Sequence, residues 1–267
     1  MRPPASCAAP DVRWDPAGGR IDEAALAGTD AVVHLAGESI MGRWTASKKA
    51  SIRDSRVGAT SLLCRALAHL ADPPAVVACA SAVGYYGDRA DEVLSEASPA
   101  GSGFLAGVCR QWEAAAAPAV ERGIRVVHLR FGVVLSPRGG ALRRMLSPFR
   151  LGFGGRLGSG RQYWSWISLA DAVSVIVHAL ENEPLRGAIN VVAPTAVTNR
   201  QFSKTLGRVL RRPVIFAMPA FAARLLLGQM AGEMLLASAR AEPRKLLQAG
   251  FVFRHPELEK ALREMLP

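Results

Sequence analysis

Three hydroxyl side chains, Ser81, Tyr85 and Tyr86, fall just past the apolar run Val76-Val-Ala-Cys-Ala. Such a run reads as a buried parallel strand. Hydroxyls at its C-terminal edge stand where doubly wound sheets bind ligands. The serine suits hydrogen bonding to a carbonyl or hydroxyl of a ligand. A tyrosine suits acid or base work once a neighbour moves its pKa from about 10 toward neutrality. The competing reading is that the tyrosine pair simply packs beneath a glycine-rich lid.

Other chemistries find little support. His34, His69, His128, His178 and His255 are dispersed without paired spacing, so no metal site is expected. Cys7, Cys64, Cys79 and Cys109 show neither CxxC pairing nor metal-type spacing and read as reduced thiols of a cytoplasmic protein. The formal charge is +11, but the arginines run from Arg2 to Arg263 without a block of interleaved aromatics. A basic surface with one anion-binding cleft therefore accounts for the charge better than a nucleic-acid partner. Residues 1–10 lack a signal-type apolar stretch, and the apolar segment 219–237 is interrupted by Arg224, Gln229 and Glu233, which argues against a membrane span.

The elements that must position these residues alternate. Asp30-Ala-Val-Val-His-Leu-Ala-Gly37, Val76–Ser81 and Arg125–Arg130 read as buried strands, with a shorter one at Ala188–Val192. Between them the spacing predicts helices near 46–70, where Ile52, Leu63, Leu67 and Leu70 share a face, and 103–122, with Phe104, Val108 and Trp112 at four-residue intervals. Further helices are expected over 170–181 and 199–210. The fold class is α/β: a Rossmann-like parallel sheet flanked by helices. A nucleotide-binding domain over 1–212 carries glycine- and aromatic-rich cleft loops, and a small, mostly helical region occupies 213–267. Nothing before Asp30 resembles the strand, glycine turn and helix that normally open such a sheet and grip a diphosphate. The chain reads as N-terminally truncated, with an exposed sheet and weakened cofactor affinity as the expected consequences.

Five separated motifs carry a more specific resemblance. They are Val33-His-Leu-Ala-Gly-Glu-Ser39, Ile52-Arg-Asp-Ser-Arg56, Ser81-Ala-Val-Gly-Tyr-Tyr-Gly-Asp88, Arg130-Phe-Gly-Val-Val-Leu135 and Gly158-Ser-Gly-Arg-Gln-Tyr-Trp-Ser-Trp-Ile167. In order and spacing the chain resembles the extended, atypical short-chain dehydrogenase/reductases, in their uncharacterised "epimerase family" branch. Pro243-Arg-Lys-Leu-Leu-Gln-Ala-Gly-Phe251 is similar to that branch's C-terminal extension. The resemblance implies NADP(H) binding, with Leu35, Ala36 and Gly37 where the backbone passes the cofactor and Arg56 near its phosphate or ribose oxygens. It also implies Val134 near the nicotinamide. Arg2 matches the position of a cation for the adenosine 2′-phosphate, or else belongs to a frayed terminus. Gln162, Trp164, Trp166 and Asp171 fall in what resembles the substrate-side loop. Its aromatics would stack on a ring or shield a hydride from water, or would form a hinge holding the tail.

The same resemblance exposes a gap. The superfamily's Tyr-x-x-x-Lys pair, in which the ammonium lowers the tyrosine pKa, aligns through Glu113 onto Leu105 and Cys109. Neither side chain replaces the lost groups, so the proton work falls to Ser81, Tyr85 and Tyr86. The leading expectation is an NADP(H)-dependent oxidoreductase or epimerase acting on a small carbonyl or alcohol. An alternative is a non-catalytic NADP(H)-binding sensor or protein-interaction module, in line with cell-division labels among relatives. A third reading is an incomplete gene model begun at an internal methionine.

Overall fold

The computed structural model describes residues 12–266, so Arg2 and Cys7 lie outside the described residues. Four parallel strands make the central sheet: β1 (Ala31–His34), β2 (Val76–Ala82), β3 (Arg125–Phe131) and β4 (Gly187–Val191), in the spatial order β4-β3-β2-β1. The alternation of side chains along a strand explains why these runs are apolar throughout. On β2 and β3, Val77, Cys79 and Val126 pack with Leu63, Cys64 and Leu67 of the helix α1 (Ala46–His69) on one face. Ala78, Val127 and Leu129 pack with Ala172, Val175 and Ala179 on the other. Each large aliphatic side chain buried this way contributes about 1.5–3 kcal/mol.

Helix α1 starts at Thr45, whose hydroxyl accepts the Lys48 amide at 3.1 Å. The expected helix over 103–122 is instead two: α2 (Phe104–Ala114) and a short helix at Ala117–Glu121. The break falls where Pro118, which lacks an N–H, begins a new helix rather than continuing the old one. A helix not anticipated from the sequence, α3 (Gly140–Arg150), follows β3 despite the internal Pro148. Helices α4 (Leu169–Glu181) and α5 (Asn199–Leu210) lie close to their expected limits, α5 opening with a capping box between Thr198 and Gln201.

Several short strands bind the later loops together. Residues 133–135 pair with 166–168, 155–157 with 216–218, and 93–94 with 240–241, all in parallel. The C-terminal helix α6 (Leu258–Met265) places Leu258, Ala261 and Leu262 in one core with Leu135, Leu142, Trp166 and Phe202. The tail thus shares its hydrophobic core with the loops after β3. At the other side of the sheet, β1 is the outer strand among the described residues, and Val33 and Leu35 are exposed there. No helix of the described residues is long and apolar enough to cross a membrane.

Candidate functional site

The site is assembled at the C-terminal edge of β2 and β3. Ser81 ends the buried part of β2 and donates its hydroxyl proton to Glu113 Oε1 at 2.7 Å. Glu113, in the last turn of α2, is also held in a fork by Arg130 of β3, with Nε to Oε1 and Nη2 to Oε2 both at 2.8 Å. Bidentate geometry of this kind gives the strongest ion-pair hydrogen bonds. The Arg130 side chain is 4 % exposed and that of Glu113 13 %. Burial opposes the charge on Arg130, but Glu113 and Tyr86 more than offset it, so the guanidinium pKa is raised.

The two tyrosines stand behind this pair. Tyr85 lies flat beneath the guanidinium, with Arg130 Cζ 3.5 Å from its ring centroid. Tyr86 is fully buried; its hydroxyl accepts from Arg130 Nη1 at 3.0 Å and donates to Asn190 Oδ1 at 2.7 Å. Burial, first of all, raises its pKa further above the ordinary value. Neither tyrosine lines the cleft, so the structure does not bring their hydroxyls to a ligand alongside Ser81. The tight turn after β2 buries Tyr86 and half-buries Tyr85 against the sheet edge, which the dipeptide alone does not reveal.

In front of Ser81 lies a cleft of about 1350 Å³. Arg56, Ser81 and Val134 line it together, as do Leu105 and Cys109, the positions of the absent tyrosine and lysine. The Cys109 thiol is pushed up to about 12, chiefly by burial and then by the Glu113 charge, and remains protonated. Arg56 stacks over Trp112 at 5.1 Å, and its Nη1 donates to the Ile52 carbonyl of its own helix at 3.0 Å. It makes no ion pair among the described residues, and burial lowers its pKa.

Leu35, Ala36 and Gly37 are exposed beyond the end of β1 and do not themselves line the cleft. Gly37 nevertheless has a local reason to lack a side chain. A Cβ there would sit 3.2 Å from Arg56 Cζ, so the glycine makes room for the arginine.

The substrate-side segment divides. Trp164 faces the cleft, whereas Trp166 is fully buried and donates to the Thr195 carbonyl at 3.0 Å. Gln162 donates to the carbonyls of Leu157 and Leu235 at 3.1 and 3.0 Å, and Asp171 accepts the amides of Arg254 and His255 at 2.8 and 3.0 Å. Both therefore fasten the tail. Ser168, Asp171 and His255 lie within hydrogen-bond reach of one another, yet all three are buried inside this joint, away from the cleft. Among the described residues no group of three or more His, Cys, Asp or Glu side chains is placed to hold a metal ion.

Glu233, a residue that the sequence motifs do not single out, closes the cleft from the tail. Its carboxylate accepts the Phe104 and Leu105 amides at 3.1 and 2.8 Å, supplying the cap that α2 lacks within its own sequence. Gly103 permits this approach with φ +104°. Glu113 was visible in sequence only as an alignment anchor. Its partnership with Ser81 spans 32 residues and arises from packing α2 against the end of β2.

Comparison with known proteins accords with this architecture. The family model for the NAD dependent epimerase/dehydratase family matches residues 18–192, and that for a domain of unknown function, DUF1731, matches residues 218–265. The epimerase family protein MT2273 of Mycobacterium tuberculosis is 46% identical over 253 residues, covering 94% of this chain and 83% of that protein. The crystal structure of human epimerase family protein SDR39U1 (isoform 2) with NADPH is similar at a TM-score of 0.85 and 36% identity, over 91% of this chain and 85% of that one. A nucleoside-diphosphate sugar epimerase from Corynebacterium glutamicum is similar at a TM-score of 0.79 and 36% identity, over 95% of this chain and 49% of that one. Strand order, the cleft at the sheet's C-terminal edge and these identities lead to one conclusion: the chain belongs to the NAD-dependent epimerase/dehydratase family, in the atypical short-chain dehydrogenase/reductase branch with a DUF1731 region at its C-terminal end.

Proposed function

We propose that this chain is an NADP(H)-dependent oxidoreductase or epimerase acting on a carbonyl or alcohol, with Ser81 as the group that meets the reacting oxygen. The observation that carries the reading is the position of Ser81: it lines the same cleft as Arg56 and Val134, and its proton is fixed on Glu113. The cofactor assignment is supported by the related human protein crystallised with NADPH. It is supported also by Arg56, a largely desolvated cation on the cleft wall whose only hydrogen-bond partner among the described residues is a carbonyl of its own helix. Such an arginine suits a phosphate or ribose oxygen. Arg56 and the backbone near Val134 are the proposed contacts on the cleft wall, with the exposed 35–37 segment, packed against Arg56 at Gly37, proposed as a contact outside that lining. When bound, the nicotinamide supplies hydride acceptance or donation.

The residues of the chain then do the following. Glu113 accepts two hydrogen bonds from Arg130 and the hydroxyl hydrogen of Ser81. The remaining lone pairs of Ser81 Oγ accept the hydrogen of an alcohol; as that proton passes to Oγ the Ser81 proton moves along its hydrogen bond to Glu113, and the reverse transfer protonates the oxygen of a reduced carbonyl. Ser81 thereby orients an alcohol, while Leu105 and Val134 keep water from its carbon. The test is NADP+ reduction with a panel of alcohols on the wild type and Ser81→Ala. Turnover that falls at least about 100-fold in the variant supports the reading; unchanged turnover sinks it.

A second reading rests on Leu105, the neutral Cys109 thiol and the enclosed Tyr86 hydroxyl, which leave Glu113, itself forked by Arg130, as the acid side chain beside Ser81. On that reading the chain binds NADP(H) as a sensor. Stoichiometric NADPH binding with no turnover across the panel selects it.

A further inference from the structure

Beyond Ser81 the cleft has a chemistry that a sugar nucleotide does not match. Its far walls are Met145, Pro148 and Phe149 of α3, then Phe153, Phe216 and Met218. Phe153, Phe216 and Met218 are 65%, 48% and 41% exposed, and the two phenylalanine rings tilt together at 5.7 Å. Water on such surface is unfavourable until an apolar ligand displaces it.

Several polar side chains on these walls are turned into the protein. Ser165 Oγ donates to the Ala239 carbonyl at 2.8 Å and accepts the Ala241 amide at 2.9 Å. Asn199 Oδ1 takes the Leu157 amide at 2.8 Å, and Ser203 donates to the Gly155 carbonyl at 3.2 Å. Glu233 is occupied by the amides that open α2. The cations of this half are Arg156, whose guanidinium donates to the Gly158 carbonyl, and Arg144, exposed on α3. A sugar ring seated here would exchange water for carbon at several hydroxyls.

We infer that the substrate is a carbonyl or alcohol with a predominantly apolar body, lying from Ser81 along α3 to Phe153 and Phe216, rather than a polyhydroxylated sugar. The inference rests on the oxidoreductase reading for its reacting end only. The apolar wall makes its own claim about the body of the ligand.

The experiment uses the 267-residue chain, saturated with NADPH, and methyl alkyl ketones from butanone to undecanone, followed by cofactor oxidation. Each methylene moved from water onto the wall contributes about 0.8 kcal/mol, so kcat/KM rises about fourfold per carbon until the wall is covered. Phe153→Ser flattens that rise. Leu151→Ser, an exposed apolar side chain outside the cleft lining, leaves it intact. If no ketone is reduced, calorimetric titration of the matching alkanols onto the NADP+ complex decides. Affinity that climbs about fourfold per carbon, and loses the climb in Phe153→Ser, keeps the apolar substrate class while the oxidoreductase reading falls. A flat series in both assays, or tighter binding of UDP-glucose than of undecanone, overturns the inference.

Discussion

Replacing Glu113 with alanine would leave Arg130 charged, 4 % exposed at its side chain and without its counter-ion. Arg130 gives Glu113 two hydrogen bonds at 2.8 Å; its remaining partners would be the Tyr86 hydroxyl and the Glu96 carbonyl, neither of which carries charge. Breaking one side of a buried pair costs about 3–5 kcal/mol, a large share of the roughly 5–15 kcal/mol that holds a domain folded. Arg130→Met leaves the opposite charge buried and should cost a similar amount. The double substitution Glu113→Ala/Arg130→Met removes both charges and should be less harmful than the sum by about 2–3 kcal/mol. Urea unfolding followed by tryptophan fluorescence gives all three values. A loss below about 1 kcal/mol for Glu113→Ala, or strict additivity in the double variant, would refute the reading of Glu113 and Arg130 as a buried ion pair in which each charge depends on the other.

Tyr86→Phe keeps the ring but removes the hydroxyl between Arg130 and Asn190, so it should cost about 1–3 kcal/mol in thermal unfolding while NADPH affinity, measured by fluorescence titration, stays within about twofold. His34 is held neutral by burial, which lowers its pKa to about 4. The folded pKa lies below the unfolded value near 6.5, so stability is complete above pH 6.5 and about 3 kcal/mol is lost as pH falls through 4; urea midpoints against pH should lose that slope in His34→Leu. Asp171→Ala strips the acceptor from the Arg254 and His255 amides and from Ser168, and should speed hydrogen exchange at those two amides and destabilise the chain by roughly 3 kcal/mol.

The central sheet was legible because a strand buried on both faces must be apolar at every position. Val76–Ala82 and Arg125–Phe131 have that character, and their helices have a repeating apolar face. Helix α3 is not legible in the sequence because Gly139, Gly140 and Pro148 break the local signal; its apolar residues Leu142, Leu146 and Phe149 are buried in a core shared with Leu135, Trp164, Phe202 and Leu262, which lie far along the chain or on other elements. The break after α2 is marked in the sequence by Pro118, but the apolar spacing runs on across it. Of the site, Ser81, Arg56 and Val134 could be named from motifs, since each sits on or beside a regular element whose position in the sheet is fixed. The orientation of Tyr86 and the joint formed by Asp171 depend on partners 104 and 84 residues away, a separation that local pattern does not encode.

The substitutions at 105 and 109 connect the two halves of the cleft physically. An ionisable tyrosine and a lysine at these positions would place charge and water beside the reacting carbon. Leucine and a thiol held neutral at about 12 make that surface apolar instead, continuous with α3 and Phe153. Charge has not left the site but has moved behind Ser81, into the Glu113–Arg130 fork that Tyr85 and Tyr86 enclose. A serine hydrogen-bonded from behind to Glu113 passes a proton between the ligand oxygen and the carboxylate without itself ionising. An apolar floor beneath the substrate raises no barrier to that, because hydrogen bonds strengthen where water is excluded. The loss of the paired tyrosine and lysine and the hydrophobic lining of the far cleft are on this view one adaptation, to a ligand whose hydroxyl or carbonyl meets Ser81 and whose body lies on an apolar wall.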